Sequence, residues 1–184
     1  MKNRFLILLT LFLISFDSYS QTNSFKNSSP LNIPLILSGT FGELRANHFH
    51  AGIDIKTNGK EGYQVKSLDD GYVDRIRVGT NGYGKALYIN HPNGLTTVYA
   101  HLKKFSPKIE SFVKSFQYKK ETYEIQLFPK DDEIKVEAGE IIGLSGNTGG
   151  SSGPHLHFEI WKDKKSIDPL IYFPEFKEKD LTSN

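Results

Sequence analysis

The sequence predicts a mostly β protein, an antiparallel sheet or sandwich-like domain with one short helical insertion. Three observations indicate this class. Short stretches between residues 35 and 101 alternate apolar and polar residues with the period of two that a half-buried strand has. Turns rich in Gly, Asn and Pro separate them at the spacing of a sandwich or barrel. One stretch, near residues 107–116, has a helical period instead.

Residues 1–20 are predicted to be a secretory signal peptide. Lys2 and Arg4 form a basic start, residues 5–16 are almost entirely apolar, and Ser18-Tyr19-Ser20 fits a cleavage site. This apolar run is too short to span a hydrocarbon core of about 30 Å. We therefore expect an exported protein, in the periplasm, the cell envelope or the extracellular space, with no membrane span in the mature chain.

Charge and cysteine content exclude two classes of protein. The chain carries 23 Lys and Arg against 21 Asp and Glu, and a nucleic-acid-binding protein usually leaves a much more basic footprint. It has no cysteine, so neither disulfide bonds nor a lipid-modified N-terminal cysteine is expected. Stability must come from a core, which a chain of this length can supply.

Residues 21–34 are polar and predicted to be a flexible leader. The predicted domain follows over residues 35–175, and a charged tail occupies residues 176–184. An Asn93-Gly94 turn predicts a hairpin within the domain. The predicted strands are residues 49–55, 63–65, 71–78, 85–91, 95–101, 123–128, 136–143 and the strand that carries His155 and His157.

The predicted insertion, residues 106–135, interrupts this series of strands. Ser106-Pro107 can begin a helix, and an apolar stripe follows at positions i, i+3, i+4 and i+7: Ile109, Phe112, Val113 and Phe116. The stripe is typical of one short amphipathic helix.

The strongest chemical signal lies between Ser151 and Ile160. His155 and His157 follow a Gly/Ser/Pro turn and, two residues apart on a strand, would point to the same face. Leu156 would point to the other face, into a core. Neutral imidazole is the commonest transition-metal ligand, so the pair forms half of a metal site. The alternative is two histidines with no joint role.

His50 and Asp54 supply the other half. They are four residues apart, which also places them on one face of an extended strand. With one histidine of the 155/157 pair they make two imidazoles and one carboxylate, the ligand count of a catalytic zinc site. The alternative for Asp54 is a turn or hydrogen-bonding role. Spacing does not decide between His155 and His157.

His101 and the remaining histidine of the pair would then be free for proton transfer, which metal-assisted hydrolysis requires. The alternative for His101 is a buried, hydrogen-bonded histidine at the end of a strand. His48 and His91 are expected to be rim or turn residues.

Together these motifs resemble those of the LytM/lysostaphin-type zinc endopeptidases of the M23 peptidase family. The matching elements are HxGxD at residues 50–54, YxHL at residues 99–102, and a glycine-rich loop from residue 143 that leads into GPHLHFE at residues 153–159. They stand in the family order, and the resemblance covers roughly Phe41 to Pro169.

The resemblance implies that His50, Asp54 and His157 bind one zinc ion (Zn²⁺). It implies that His101 and His155 orient the attacking water and stabilise the oxyanion. The implied fold is the LytM domain, which is duplicated-hybrid-motif-like, with the site in a groove.

The implied activity is that of a secreted endopeptidase that cleaves peptide cross-links of peptidoglycan, so peptidoglycan peptide stems are the expected partners. One alternative is a catalytically inactive module of the same fold that binds the cell wall or activates an amidase. The presence of all five expected site residues argues against it. Another alternative is a protease that acts on proteins.

Two features depart from the family pattern. Residues 106–135 make the connection after YxHL longer, and this insertion could wall the groove, narrow the substrate range or dock a regulatory partner. The tyrosine that some members have upstream of HxGxD is replaced here by a region with Phe41, Leu44 and Phe49. This leaves oxyanion stabilisation to His101 and His155.

Overall fold

The structure is a computed structural model that describes residues 24–131 and 133–173. The predicted signal peptide, the first residues of the predicted leader, the end of the predicted domain and the predicted tail lie outside the described residues. Within the described ranges, no helix is long and apolar enough to cross a membrane.

The described chain is built mainly from strands. In order, the elements are β1 (Leu37–Gly39), β2 (Ile53–Lys56), β3 (Gln64–Lys66), β4 (Gly71–Val78), β5 (Ala86–Asn90), β6 (Leu95–Ala100), β7 (Lys104–Phe105), α1 (Pro107–Lys120), β8 (Ile125–Leu127), β9 (Lys135–Val136), β10 (Ile141–Leu144), β11 (His155–Lys162), β12 (Lys165–Ile167) and a 3₁₀ helix (Pro169–Tyr172).

Two antiparallel sheets form the fold. The larger has the order β1-β2-β11-β6-β5-β4-β8, with β12 paired to β11 and β9 paired to β4. The smaller has the order β3-β10-β7. The prediction of a mostly β, antiparallel domain with a single α-helix is therefore confirmed for the described residues. Strand β11 lies between β2 and β6, so both neighbours can contribute side chains beside its histidines.

Alternate side chains of β11 point to opposite faces of the sheet, so one set packs in the core and the other faces the site. Leu156, Phe158 and Ile160 are fully buried in the main apolar cluster, and the Phe158 ring packs edge-on against Tyr99 of β6. The intervening residues, His157 among them, face the other side of the sheet. Core packing thus fixes the register of β11, since a slip of one residue would turn its apolar side chains to the opposite face.

The predicted helix and its apolar stripe are present. Ile109 and Val113 are buried, while Phe112 and Phe116 pack against the core with ring centroids 5.0 Å apart. The strand predicted after the helix is shorter than expected, Ile125–Leu127, and pairs with β4.

The structure differs from the predicted flexible leader over residues 24–34. Leu31 is 1% exposed and forms a bridge with Val65. The backbone N–H of Asn27 donates to the carbonyl of Leu68 at 2.8 Å, and the Phe25 ring packs 5.3 Å from that of Tyr172. A few apolar side chains attach this segment to the domain although most of its residues are polar.

Candidate metal centre and active site

Three neighbouring strands bring the sequence-predicted site residues together. His157 on β11 stands opposite Asp54 on β2 and opposite Ala100 on β6. His101 directly follows β6, and His50 lies three residues before β2. The structure therefore gathers five residues from three distant parts of the chain, His50, Asp54, His101, His155 and His157, in one cluster.

Three potential ligand atoms form a compact triangle. Nε2 of His50 lies 3.1 Å from Oδ1 of Asp54 and 3.0 Å from Nδ1 of His157. The third side, from Nδ1 of His157 to Oδ1 of Asp54, is 2.9 Å. A tetrahedral zinc ion with nitrogen and oxygen ligands at about 2.0–2.1 Å would separate such atoms by roughly 3.3 Å. The triangle is close to that size, and all three residues are buried.

Hydrogen bonds on the outer side of each imidazole direct lone pairs into this triangle. Nδ1 of His50 donates to the carbonyl of Thr40 at 2.8 Å, and Nε2 of His157 donates to Oε1 of Glu159 at 2.7 Å. In the neutral rings the opposite nitrogens then carry lone pairs, which face the Asp54 carboxylate. Three electron-rich atoms about 3 Å apart are an arrangement that a cation completes, so these residues fit a zinc ion.

The electrostatics of the two buried groups agree with this arrangement. Burial raises the pKa of Asp54, but hydrogen bonds from His155, His157 and His50 outweigh it and hold the pKa well below its usual range. Burial lowers the pKa of His157, whereas its bonds to Asp54 and Glu159 outweigh that effect and raise the pKa to about 9. Both shifts have the same cause, the close contact between the Asp54 carboxylate and the imidazoles.

The second oxygen of Asp54 is held by Arg45, which the sequence analysis did not identify. Nη2 of Arg45 lies 2.9 Å from Oδ2 of Asp54 and 3.1 Å from Oε2 of Glu43. Gly39 packs directly against this ion pair. A Cβ at position 39 would lie 2.4 Å from both Arg45 Nη2 and Asp54 Oδ2, so a larger residue would collide with the pair. The arginine directs Oδ1 toward the two histidines.

Glu159 supports His157 and was also missed. Its carboxylate is 0% exposed and accepts hydrogen bonds from His157, from the Tyr83 hydroxyl and from the Trp161 indole N–H. Burial, together with the charge of Glu159, raises the pKa of Tyr83, so the phenol keeps its proton and remains a donor. Tyr83 therefore lies close to the site, although it is not upstream of HxGxD. Its hydroxyl donates to Glu159.

His101 and His155 lie beside the triangle with their rings 4.8 Å apart. Nδ1 of His101 donates to the carbonyl of Thr148, and Nδ1 of His155 to that of Gly153, both at 2.8 Å. Nε2 of His101 is bonded to none of the described residues, whereas Nε2 of His155 lies 3.4 Å from Oδ1 of Asp54. Burial lowers the pKa of His101 to about 4, so this imidazole is neutral at physiological pH. Its φ of 57° lies in the left-handed region, a strain typical of functional sites.

The geometry distinguishes the two histidines that spacing could not. His157 belongs to the set whose ligand atoms all lie within 4.8 Å of one another, with His50 and Asp54. Nε2 of His155 approaches the same carboxylate oxygen, at 3.4 Å, but His155 is outside that set. This favours His157 as the ligand.

Two glycine-rich loops hold these side chains in place. A Cβ at Gly84 would stand 2.4 Å from Thr148, and one at Gly149 would stand 2.3 Å from the backbone nitrogen of Gly84. The N–H of Gly150 donates to the carbonyl of Gly82 at 2.8 Å. Because Thr148 also accepts the His101 hydrogen bond, the contact between the loops sets the position of that imidazole.

The two remaining histidines lie elsewhere. His48 is exposed, with Nδ1 2.6 Å from Oδ1 of Asn47. His91, expected to be a rim or turn residue, opens the turn at residues 91–94, where the N–H of Gly94 donates to its carbonyl at 3.0 Å. Its imidazole is buried and bonded to the carbonyl of Asp70 and the hydroxyl of Thr97. Its role is structural.

Comparison with known proteins places this site in a family. The sequence profile described as "Peptidase family M23" matches residues 48–118 and 125–169, more than half of the chain. Between the matched stretches only residues 119–124 are left out, a much shorter segment than the predicted insertion, residues 106–135. The match includes all five clustered residues.

Relatives and solved structures agree with the profile. The chain is 32% identical over 134 residues to the DD-carboxypeptidase/endopeptidase Mpg of Neisseria meningitidis, covering 71% of this chain and 25% of Mpg. It is 31% identical over 136 residues to the murein hydrolase activator NlpD of Escherichia coli, covering 74% of this chain and 28% of NlpD. The chain thus spans about a quarter of each relative. A zinc-containing peptidase from Vibrio cholerae superposes with a TM-score of 0.58 at 27% identity, over 79% of this chain and 39% of that one.

Proposed function

This chain belongs to peptidase family M23, and from that premise we propose that it is a zinc-dependent endopeptidase that cleaves peptide cross-links of peptidoglycan. The observation that carries the proposal is the triangle of His50, Asp54 and His157 with two further imidazoles beside it. The relative Mpg, named as a carboxypeptidase and endopeptidase, supports the reaction. The zinc-containing Vibrio cholerae peptidase supports the metal.

In this proposal His50, Asp54 and His157 hold one zinc ion. Bound there, zinc supplies Lewis acidity, which lowers the pKa of a water ligand and polarises the carbonyl of the substrate. Arg45 and Glu159 keep the ligands in position from outside. The buried surroundings exclude bulk water and strengthen each of these charge interactions.

His101 and His155 are the proposed catalytic residues. Neutral at physiological pH, with its Nδ1–H donated to Thr148, His101 presents a lone pair on Nε2 that can orient the attacking water and take its proton. We assign the developing oxyanion to His155 in its doubly protonated form: Nδ1–H donates to Gly153, and Nε2–H, which reaches the region of the Asp54 carboxylate, can donate to the oxyanion. His101 then gives this proton to the peptide nitrogen that leaves when the carbon–nitrogen bond breaks.

A second candidate function follows from the relative NlpD, which is named as an activator of murein hydrolases. A module of that kind would bind the cell wall or an amidase and cleave nothing itself. The presence of all five site residues favours catalysis.

Digestion of purified sacculi separates these functions. We expect the zinc-loaded mature protein to release cross-link fragments, a chelator to stop the release and added zinc to restore it, with mass spectrometry identifying the bond cleaved. His48→Ala, an exposed histidine outside the site, is the control and should digest normally. A zinc-loaded protein that releases nothing, yet stimulates an added amidase, would establish the activator function instead.

The proposed location is outside the cytoplasm, in the periplasm, the cell envelope or the extracellular space. It rests on the predicted signal peptide over residues 1–20. N-terminal sequencing of the protein recovered from the envelope should begin after Ser20. Recovery of the full-length chain in the cytoplasm would contradict the location.

A further inference from the structure

The sheet face that carries the metal centre continues away from it as two rows of residues in register. The rows cross β11, β6, β5 and β4 in turn. In the first, His157 stands opposite Ala100 and Ala86 opposite Arg77, and the two alanines lie in one apolar cluster; the second is Glu159, Val98, Tyr88 and Arg75. Each row therefore begins at the metal centre and ends at an arginine on β4.

Aromatic rings connect the two ends of this face. The Tyr83 ring lies 5.4 Å from that of His157 and 6.5 Å from that of Tyr88. The small Ala100 and Ala86 leave room for Tyr83 above the first row, and all three belong to one apolar cluster. The guanidinium of Arg75 covers the Tyr88 ring at 4.5 Å. A continuous series of contacts thus runs from the metal centre to β4.

Arg77 stands at the far end, where hydrogen bonds from Thr80 and, to a smaller extent, the positive charge of Arg77 lower the pKa of Glu124. Its guanidinium lies against the backbone of the loop at Gly79 and Gly82, 3.5–3.9 Å from where their Cβ atoms would be. Across residues 24–131 and 133–173, its half-buried side chain makes no ion pair and no hydrogen bond. Gly79 and Gly82 leave space for it, whereas larger residues would crowd it.

Arg77 lines an open cavity of about 470 Å³, together with Asn81, Glu124 and Gln126. Oε1 of Gln126 accepts from Arg75 at 2.8 Å, so the amide nitrogen of Gln126 is left as a donor. The carboxylate of Glu124 is tied to Thr80, whose N–H donates to it at 2.7 Å. Two guanidinium groups, Arg77 in the lining and Arg75 bonded to Gln126 of the wall, therefore outnumber the single carboxylate of Glu124, so the cavity keeps an excess of positive charge.

We propose that this cavity binds a carboxylate of the substrate and makes the protein selective for acidic peptides. The inference rests on the proposed function, because it assumes that the reacting peptide bond lies at the metal centre. Three steps between strands of about 4.8 Å place β4 roughly 14 Å from β11. An extended peptide advances about 3.3 Å per residue, so the recognised carboxylate lies about four residues from the cleaved bond. Arginine binds carboxylate through two parallel hydrogen bonds, which suits this role.

Trp161 provides a built-in reporter for the test. It is the single tryptophan of the chain, and its ring lies 5.7 Å from that of Tyr88. We would load His101→Ala protein with zinc and titrate it with a cross-linked two-stem peptide that has free carboxylates, then with the same peptide fully amidated. Loss of one charge-assisted contact should weaken binding of the amidated peptide about tenfold or more.

Variants assign this preference to the cavity. In the same background, Arg77→Gln should bind both peptides equally, at the affinity of the amidated one, and Arg77→Lys should keep part of the preference. Lys119→Gln, which removes one exposed positive charge from α1, should leave the preference unchanged. Unchanged thermal unfolding of each variant would show that the fold is intact.

Two results would overturn the inference: equal binding of both peptides to the parent protein, or a preference that survives Arg77→Gln. Digestion of sacculi by the wild-type protein, measured in parallel, tests the proposed function separately. If nothing is cleaved but the Arg77-dependent preference remains, the carboxylate site stands and the endopeptidase function fails. If cleavage is normal and neither amidation nor Arg77→Gln changes KM, the carboxylate site fails alone.

Discussion

Glu159 holds a carboxylate that is fully removed from solvent, and three donors surround it. A buried charge without such partners would be strongly destabilising. Here the hydrogen bonds also fix which nitrogen of His157 carries a proton, so the other nitrogen is available to a metal. Carboxylates in this outer position commonly raise metal affinity by orienting the ligand.

The first prediction concerns this contact. Glu159→Gln should lower zinc affinity about 10–100-fold, because a neutral amide can accept the same hydrogen bond but no longer supports the imidazole with charge. Tyr83→Phe should have a smaller effect, since it removes one of three donors. Competition with a chromophoric chelator measures the affinity. The matched control is Glu137→Gln on the surface, and equal affinities for this control and Glu159→Gln would refute the role of Glu159.

At the residue scale, the spacing of residues within short motifs predicted most of the site. It did not predict the side chains that reach the site from distant parts of the chain. HxGxD and HxH each place two side chains on one strand face, which alternation alone determines. The same rule could have identified Glu159, two residues after His157 on β11. Arg45 and Tyr83 could not be predicted in this way, because each reaches the site from a loop whose position depends on the rest of the fold.

At the element scale, alternation predicted the longer strands and failed for the shortest. Strands β4, β5, β6 and β11 were all anticipated, but β7 and β12 have only two or three residues and show no measurable period. The strand predicted over residues 49–55 begins only at Ile53, because residues 42–50 bond to one another: the N–H of His50 donates to Glu43 and that of Gly42 to His50. Pairing partners, which the local sequence does not encode, decide such boundaries.

The second prediction concerns the contact between the two glycine-rich loops. Gly84→Ala should destabilise the protein by several kcal/mol, since its φ of 61° is strained for alanine and its Cβ would stand 2.4 Å from Thr148. Gly94→Ala is the matched control, with a φ of 79° but nothing within 4 Å of its Cβ, and should cost about 1 kcal/mol. Urea unfolding measures both free energies. If both variants lost the same free energy of unfolding, backbone strain alone would explain the loss at Gly84. The contact between the two loops would then contribute nothing to stability.

The segment predicted as an insertion within the domain, residues 106–135, packs against the rest of the domain. Helix α1 packs Ile109 and Val113 into the core, and β8 and β9 both pair with β4. The match to the M23 family extends through residue 118 and resumes at residue 125. A docking role for a regulatory partner therefore remains a prediction, and it would involve the exposed Tyr118 and Tyr123.

At the scale of the whole molecule, the site exists only when the fold is complete. Its members come from the loop before β2, from β2 itself, from the residue after β6 and from β11, and the first and last are about a hundred residues apart in sequence. A metal that binds this arrangement and not the unfolded chain must stabilise the protein. Sequence alone predicted which residues would meet, but their distances required the packed sheet.

The third prediction follows from this linkage. Zinc at about a thousand times its Kd should add about 4 kcal/mol, which for a domain of this size corresponds to a rise in Tm of roughly 8–16 °C. A chelator should reverse the rise. Calorimetry of the wild-type protein and of His48→Ala should give the same shift. No shift, or an equal shift for His157→Ala, would mean that zinc does not bind this site in the folded state.

The central claim is that the five clustered residues divide into ligands and catalysts, and one comparison tests it most directly. Zinc content and sacculus digestion should be measured together for His157→Ala and His101→Ala. The account predicts that His157→Ala loses both zinc and activity, whereas His101→Ala keeps one zinc ion per chain and loses activity. The opposite distribution of zinc between the two variants, or normal digestion by both, would contradict it.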